Sequence, residues 1–151
     1  MAENLEATVD IVAPPSTVWQ IVGDPARMPD FSPTTRAMKP LGAPKAGTWT
    51  VNWNKVGWKV YPSTSRIVAY EPERELAFRM NENGVTWRFR LEPTANGTRL
   101  TQVRDASNGV RWPVRKAIDL LFGGEKAFEQ ELLAGMTETL ARIKAAAETA
   151  N

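Results

Sequence analysis

The spacing of apolar residues divides the chain into an N-terminal strand, short helical segments, a run of strands and a long final helix. Alternation from Leu5 to Ala13 places every second side chain on one face, which is typical of a half-buried strand. Pro14-Pro15-Ser16 ends that strand and can begin a helix, because proline is tolerated in the first helical turn. The stretch from Pro25 to Pro33 predicts a second short helix or a structured loop.

Period-two alternation continues from Thr34 to about Ala106 and predicts about six further antiparallel strands. Its two clearest patterns are Trp49-Val51-Trp53 and Val85-Trp87-Phe89-Leu91, with polar residues at most of the intervening positions. We expect both sets to lie on the covered face of the sheet and the Thr- and Arg-bearing face to lie in water. The pair Asn96-Gly97 is typical of a tight hairpin.

A helix of about six turns is predicted near the C-terminus, where apolar residues recur every three or four positions. The recurring residues are Phe128, Leu132, Met136, Leu140 and Ile143. A curved sheet needs one face covered, and this helix is the only predicted element long enough to cover it. The pattern therefore predicts an α+β fold in one domain spanning residues 1–151, a length at which a domain buries roughly 70% of its unfolded surface.

The amino-acid composition excludes several kinds of functional site but says little about the fold. The chain has 19 Lys and Arg, 17 Asp and Glu, and neither histidine nor cysteine. These absences exclude disulfides, Cys/His zinc sites, thiolate nucleophiles and Ser-His-Asp triads. We expect no metal and no cofactor. An acidic N-terminus without an apolar core, and no stretch of 18 apolar residues, lead us to expect a cytoplasmic protein without a transmembrane segment.

Four motifs carry a resemblance to a known superfamily. They are Val9-Asp10-Ile11-Val12-Ala13-Pro14-Pro15-Ser16-Thr17-Val18-Trp19, Glu71-Pro72 before Leu76-Ala77-Phe78, Gly97-Thr98-Arg99-Leu100-Thr101, and Leu140-Ala141-Arg142-Ile143-Lys144. From Leu5 to about Ala147 the chain resembles the START/polyketide-cyclase-like (SRPBCC) superfamily, in its small single-domain polyketide cyclase/dehydrase or lipid-transport branch. The resemblance implies a helix-grip fold, in which a curved antiparallel sheet of about seven strands surrounds a long C-terminal helix and encloses a cavity.

The same resemblance implies a hydrophobic small molecule as ligand, since superfamily members bind lipids, sterols or polyketides. Some members are enzymes, some are carriers and some act on ribosomes or chaperones, and no catalytic motif spans them. We therefore predict a binding protein rather than a catalyst. The predicted ligand contacts are Trp49, Trp53, Trp58, Phe78, Trp87 and Phe89 from the sheet and Leu132, Met136 and Leu140 from the helix. Simple core packing of the tryptophans is the alternative, and Trp19 is expected to anchor the first helix.

Two polar residues share a predicted inward face with Leu100, namely Gln102 and Arg104. A buried unpaired charge is costly, so Arg104 needs a carboxylate, water or the acidic head of a ligand. A glutamate of the C-terminal helix and a position at the solvent mouth are the alternatives to a ligand head. A one-residue bulge would exchange the faces.

A basic stretch could serve a different function. Residues 84–116 carry seven basic side chains and two acidic ones, and Gly109 to Lys116 combines basic and aromatic residues. Transient contact with an anionic membrane surface or with an RNA backbone is one interpretation, and an ordinary solvated face is the other. No motif indicates specific nucleic-acid recognition or an oligomeric state. Gly109 to Gly124 is a candidate lid, since its glycines permit hinging.

Two alternatives to simple binding stay open. One is a polyketide cyclase or dehydratase that acts by positioning its substrate, helped by Arg104 or by a carboxylate with a shifted pKa. The other is a ribosome- or chaperone-associated protein that uses the basic surface.

Overall fold

Seven strands, two α-helices and one 3₁₀ helix form residues 4–106 and 125–150, which are the residues that the computed structural model describes. The strands are β1 (Asn4–Ile11), β2 (Thr35–Pro40), β3 (Trp49–Val56), β4 (Lys59–Glu71), β5 (Glu75–Met80), β6 (Thr86–Thr94) and β7 (Gly97–Asp105). The helices are α1 (Pro15–Val22), the 3₁₀ helix (Pro25–Asp30) and α2 (Glu125–Thr149).

The strands form one antiparallel sheet in the order β1-β7-β6-β5-β4-β3-β2, so that β1 and β2 are its edges. Helix α2 packs on β1 and α1, and the 3₁₀ helix packs on β2. This arrangement confirms the predicted helix-grip fold, in which one long helix covers one side of the sheet. We call the covered side the inner face and the opposite side the outer face. Among the described residues, no helix combines the length and the apolar character needed to cross a membrane.

The hydrophobic core lies between the inner face and the helices. Its fully buried members include Ile11, Val18, Ile67, Leu76, Phe89, Leu100, Leu140 and Ile143. Trp19 packs against this core, with its ring 5.3 Å from that of Tyr70 in an edge contact. The prediction that Trp19 anchors the first helix is therefore confirmed.

The faces predicted for β3 are wrong. Trp49 and Trp53 are 48% and 49% exposed, whereas Thr50 and Asn52 between them are buried. The reason is the register: Thr50 lies opposite Ser65, which lies opposite Met80 on the inner face. The indoles therefore point away from the core.

Trp58 is also outside the core, contrary to the prediction. It follows Gly57, whose positive φ of 62° makes the turn between β3 and β4, and it is 84% exposed. A side chain at this hairpin tip extends beyond the edge of the packed core.

Arginines of β6 and β7 on the outer face make ion pairs. Arg88 contacts Glu75 at 2.7 Å, and Arg99 contacts Asp10 at 2.9 Å. These contacts agree with the interpretation of a solvated strand face. The basic stretch from Gly109 to Lys116, which includes Trp112, and the candidate lid from Gly109 to Gly124 lie outside the described residues.

A polar clamp joins the end of α2 to the end of β1. The Glu148 carboxylate accepts hydrogen bonds from the Val12 amide at 2.8 Å and from the Lys144 ammonium at 2.7 Å. Lys144 also donates to the Asp10 carbonyl at 2.9 Å. The bond from Lys144, and then that from Val12, hold the pKa of Glu148 below its usual value. The clamp is therefore strongest while Glu148 is ionised.

We expect Glu148→Gln to lower the melting temperature at pH 7 and to lose that effect in acid. The folded-state pKa of Glu148 lies below its unfolded value, so its contribution is present at neutral pH and disappears as pH falls through the folded-state pKa. Thermal melts of both proteins between pH 7 and pH 3 measure this. Glu138→Gln, which removes an ion pair to Arg142 within α2, is the matched control. A difference between wild type and Glu148→Gln that stays constant with pH contradicts the clamp.

Two Gly→Ala substitutions should have opposite effects on stability. A Cβ on Gly97 would overlap the Ile11 carbonyl oxygen and lie 2.8 Å from the Ala13 nitrogen, so we expect Gly97→Ala to destabilise by at least about 2 kcal/mol. A Cβ on Gly135 would lie 3.8 Å from Pro33, so Gly135→Ala should stabilise α2 by roughly 0.5–1 kcal/mol. Urea denaturation measures both. A Gly97→Ala protein as stable as wild type would contradict the close approach of β7 to the chain after β1.

Candidate functional site

The inner face of the sheet has an apolar half and a polar half. Strands β5, β6 and β7 contribute Leu76, Phe78, Phe89, Leu91 and Leu100, all buried. Strands β3 and β4 contribute Thr50, Asn52, Ser63 and Ser65, which are also buried. Buried polar groups in such number on a concave face differ from an ordinary core, which is apolar throughout.

The polar half satisfies most of its hydrogen-bonding groups internally. Thr50 Oγ1 donates to Asn52 Oδ1 at 2.8 Å, and the Ser65 hydroxyl bonds to the same threonine. Ser63 Oγ accepts from the amides of Asn52 at 3.3 Å and Asn54 at 2.7 Å. Both lone pairs of the Ser63 oxygen are then used, which leaves its proton available to a further acceptor.

Gln102 places an amide within the apolar half. It lies on β7 opposite Phe89 of β6 and Ala7 of β1, and its side chain is buried at 7% exposure. Its Oε1 atom has no hydrogen-bond partner among the residues that the structure describes. An unsatisfied buried acceptor costs roughly 1–3 kcal/mol, and folded proteins seldom keep one without a reason.

Arg104 lies two residues further along β7 and faces the same side. The β7 register is continuous with both β1 and β6, so no bulge exchanges the faces, and the predicted inward position is confirmed. The residue is 4% exposed, and its guanidinium carbon lies 5.6 Å from the ring centre of Phe128 on α2. Burial lowers the pKa of Arg104, and the Glu129 carboxylate opposes that effect. A glutamate of the C-terminal helix is one of the partners that the sequence suggests for Arg104, and Glu129 of α2 acts on its charge in this way.

The structure brings together only part of the predicted site. Phe78, Trp87, Phe89, Gln102 and Arg104 lie on adjacent strands with their side chains on the inner face. Met136 and Leu140 are buried on α2, and Leu132 is half-buried. Trp49, Trp53 and Trp58 do not join this group.

Sequence reasoning missed the polar half of the inner face. A signal for it exists, because Ser63 and Ser65 lie at even spacings before Ile67, which is apolar and buried. The period of two then places both serines on the side of Ile67.

Two grooves at the surface are lined by described residues. One, of about 360 Å³, lies between β1 and α2 and includes Ala7, Val9, Leu140 and Lys144. Since Ala7 is directly opposite Gln102, this groove borders the apolar half of the inner face. The other, of about 400 Å³, lies beside the start of α1 and the turn between β6 and β7.

Solved structures with this fold show how widely it occurs. The protein TTHA0849 from Thermus thermophilus has a TM-score of 0.77 and 14% identity, covering 98% of this chain and 99% of that one. The Polyketide_cyc-like protein Cgl2372 from Corynebacterium glutamicum has a TM-score of 0.62 and 23% identity, covering 93% and 88%. Likeness at these identities shows the fold alone.

The di-domain ARO/CYC protein StfQ from the steffimycin biosynthetic pathway has a TM-score of 0.76 and 14% identity. The match covers 97% of this chain, which spans about half of that protein, 51%. No curated protein matches the chain. The family model described as polyketide cyclase / dehydrase and lipid transport matches residues 2–148. With nearly its whole length matched and the helix-grip fold in place, the chain belongs to the polyketide cyclase / dehydrase and lipid transport family.

Proposed function

We propose that the protein binds a hydrophobic small molecule bearing a hydroxyl or another hydrogen-bond donor, held between the inner face and α2. The unpartnered Gln102 Oε1 atom carries this proposal. The atom is an acceptor in an apolar setting, so the group that satisfies it must be a donor. Because a ligand would remove the cost of the unsatisfied carbonyl, part of the binding free energy comes from that one contact.

The surroundings of Gln102 set the rest of the ligand's chemistry. Phe89 lies directly opposite Gln102, and Leu100 and Phe78 lie on the neighbouring part of the inner face. Aromatic and aliphatic side chains around a few polar groups are typical of small-molecule sites. Met136 on α2 adds an adaptable side chain to the helix wall.

The polar half of the inner face would serve the far end of an extended ligand. Ser63 lies there on the inner face and retains a hydroxyl proton that a ligand oxygen could accept, next to the hydroxyl cluster around Thr50. A ligand with oxygens at both ends fits this arrangement better than a purely aliphatic chain, since hydroxyls buried against methylene groups would lose their hydrogen bonds to water. The groove between β1 and α2 is the proposed route of access, because it borders Ala7 and therefore Gln102.

Gln102→Met should stabilise the free protein by about 1 kcal/mol. Methionine matches glutamine in length and carries no amide, so the substitution removes the unsatisfied carbonyl while it keeps the volume. Urea denaturation of the ligand-free protein measures the change. Thr101→Met is the matched control on the same strand, because the Thr101 hydroxyl lies on the outer face and bonds to Thr8 at 3.2 Å. A Gln102→Met protein less stable than wild type would show that the carbonyl has a partner after all.

The same variant should separate two probes that differ in one hydroxyl. We expect Gln102→Met to weaken the binding of 2-naphthol about tenfold, because the ligand hydroxyl loses its acceptor, and to change naphthalene binding less than about twofold. Fluorescence titration measures both dissociation constants, and Thr101→Met should change neither. Equal weakening of both probes, or of neither, contradicts the role of Gln102.

Native mass spectrometry of gently purified protein then tests for a natural ligand, and extraction under denaturing conditions identifies it.

Arg104 favours a second candidate function, the cyclisation or dehydration of a polyketide-like substrate. A buried guanidinium on the inner face could stabilise negative charge developing on an enolate oxygen, with the apolar side chains of that face positioning the substrate. Turnover of a linear polyketide mimic that is lost in Arg104→Ala, with 2-naphthol binding retained, would support this function. If Arg104→Ala leaves turnover unchanged, Arg104 has no role in cyclisation or dehydration.

A further inference from the structure

Exposed aromatic and aliphatic side chains cover the outer face and the tip of the β3–β4 hairpin. We call them the outer patch, and its members are Trp49, Val51, Trp53, Trp58, Val60 and Pro62. Trp49, Val51 and Trp53 share one side of β3, and Pro62 lies directly opposite Trp53 on β4. Single exposed apolar residues are normal, but a continuous patch on two adjacent strands marks an interaction surface.

Basic residues surround the outer patch. Lys39 lies opposite Val51, Lys55 lies opposite Val60, and Arg66 lies opposite Trp49. The Lys59 ammonium lies 5.5 Å above the Trp58 ring at the hairpin tip. The neighbouring acid is Glu82, whose carboxylate accepts hydrogen bonds from the Thr64 amide at 2.8 Å and hydroxyl at 2.6 Å. The patch is therefore apolar at its centre and positively charged at its rim.

We infer that the outer patch docks the protein on an anionic lipid bilayer. Indole rings favour the boundary between headgroups and acyl chains, where their apolar body and their N–H group are both accommodated. Lysine and arginine at the rim would meet the anionic headgroups, each strengthening binding about fivefold near such a surface. The eight residues of β3 give the patch a length of about 26 Å along the strand.

Charge argues against a second copy of the chain as the occupant. A two-fold contact would place the same patch on both sides, so that the rim lysines of one copy would face those of the other. The aliphatic members argue against single-stranded nucleic acid, because Val51, Val60 and Pro62 offer no aromatic ring on which a base could stack. A bilayer satisfies both the apolar centre and the basic rim.

The outer patch and the candidate ligand site lie on opposite faces of the sheet. Trp53 is on the outer face, whereas Gln102 is on the inner face and buried. Docking therefore does not rest on the proposed ligand, and substitutions in one face can be tested without altering the other. A protein that docks without binding 2-naphthol, or the reverse, would separate the two proposals.

Sedimentation with vesicles tests the docking. We expect the wild type to bind vesicles of phosphatidylcholine and phosphatidylserine at 7:3, to bind pure phosphatidylcholine weakly, and to be released by 0.5 M NaCl. Lys55→Gln combined with Lys59→Gln should weaken binding to the anionic vesicles about 30-fold. Trp58→Ser should weaken it about tenfold through lost apolar contact.

Matched controls lie away from the outer patch. Arg74→Gln removes an exposed charge at the turn between β4 and β5, at the opposite end of β4, and Val12→Ser removes an exposed apolar side chain after β1. Both should bind the anionic vesicles as wild type does. Circular dichroism melts of all variants check that the fold is intact, which is expected because each changed side chain is exposed or at the surface.

Tryptophan fluorescence supplies an independent readout. Anionic vesicles should shift the emission of wild type to shorter wavelength, and Trp58→Phe should reduce that shift. Equal binding to neutral and anionic vesicles, no binding to either, or patch variants that bind like wild type would overturn the proposal. So would concentration-dependent dimerisation, measured by analytical ultracentrifugation, that Trp53→Ser abolishes, since it would assign the patch to a second copy.

Discussion

The strand register spreading from β6 is the constraint on which the rest of the structure depends. Phe89 on β6 is fully buried, and its cross-strand partners Leu76 and Gln102 must share its face because opposed side chains in an antiparallel pair point the same way. In each further strand, pairing with the previous strand fixes which side chains point inward. Hydrophobicity decides which side of β5, β6 and β7 points inward, and pairing then fixes the inner side of β4 and β3 whatever their residues are.

Strand pairing therefore explains why β3 and β4 have polar residues on the inner face and why β3 has aromatic residues on the outer face. Thr50 and Asn52 are buried because their partners Ser65 and Ser63 are, and the hydrogen bonds among them offset the cost of removing them from water. The indoles of Trp49 and Trp53 are consequently in solvent, where they contribute nothing to the core. A sheet selected for stability alone would have the reverse pattern, so the arrangement favours function on both faces.

The sequence predicts those parts of the fold that local periodicity controls. The strand β6 and the buried side of α2 follow directly from their apolar spacing, and the inward position of Gln102 and Arg104 follows from Leu100 because β7 is unbroken. The face of β3 could not be predicted in this way, because its most hydrophobic residues point outward. Only pairing over a long sequence separation, from Ser63 and Ser65 to Asn52 and Thr50, reveals that the local pattern misleads.

One extra residue in β4 allows the two ends of that strand to place different side chains on the inner face. The register shifts between Ile67 and Ala69, so that Val68 is inserted and both Ile67 and Tyr70 face inward. In an unbroken strand Ala69 would take the inner position and Tyr70 would point into solvent. The bulge instead places the Tyr70 ring against Trp19 and its hydroxyl 3.2 Å from the Gly23 carbonyl oxygen, so that α1 is held on the sheet. The same strand can therefore present serines to the candidate site at one end and anchor the covering helix at the other.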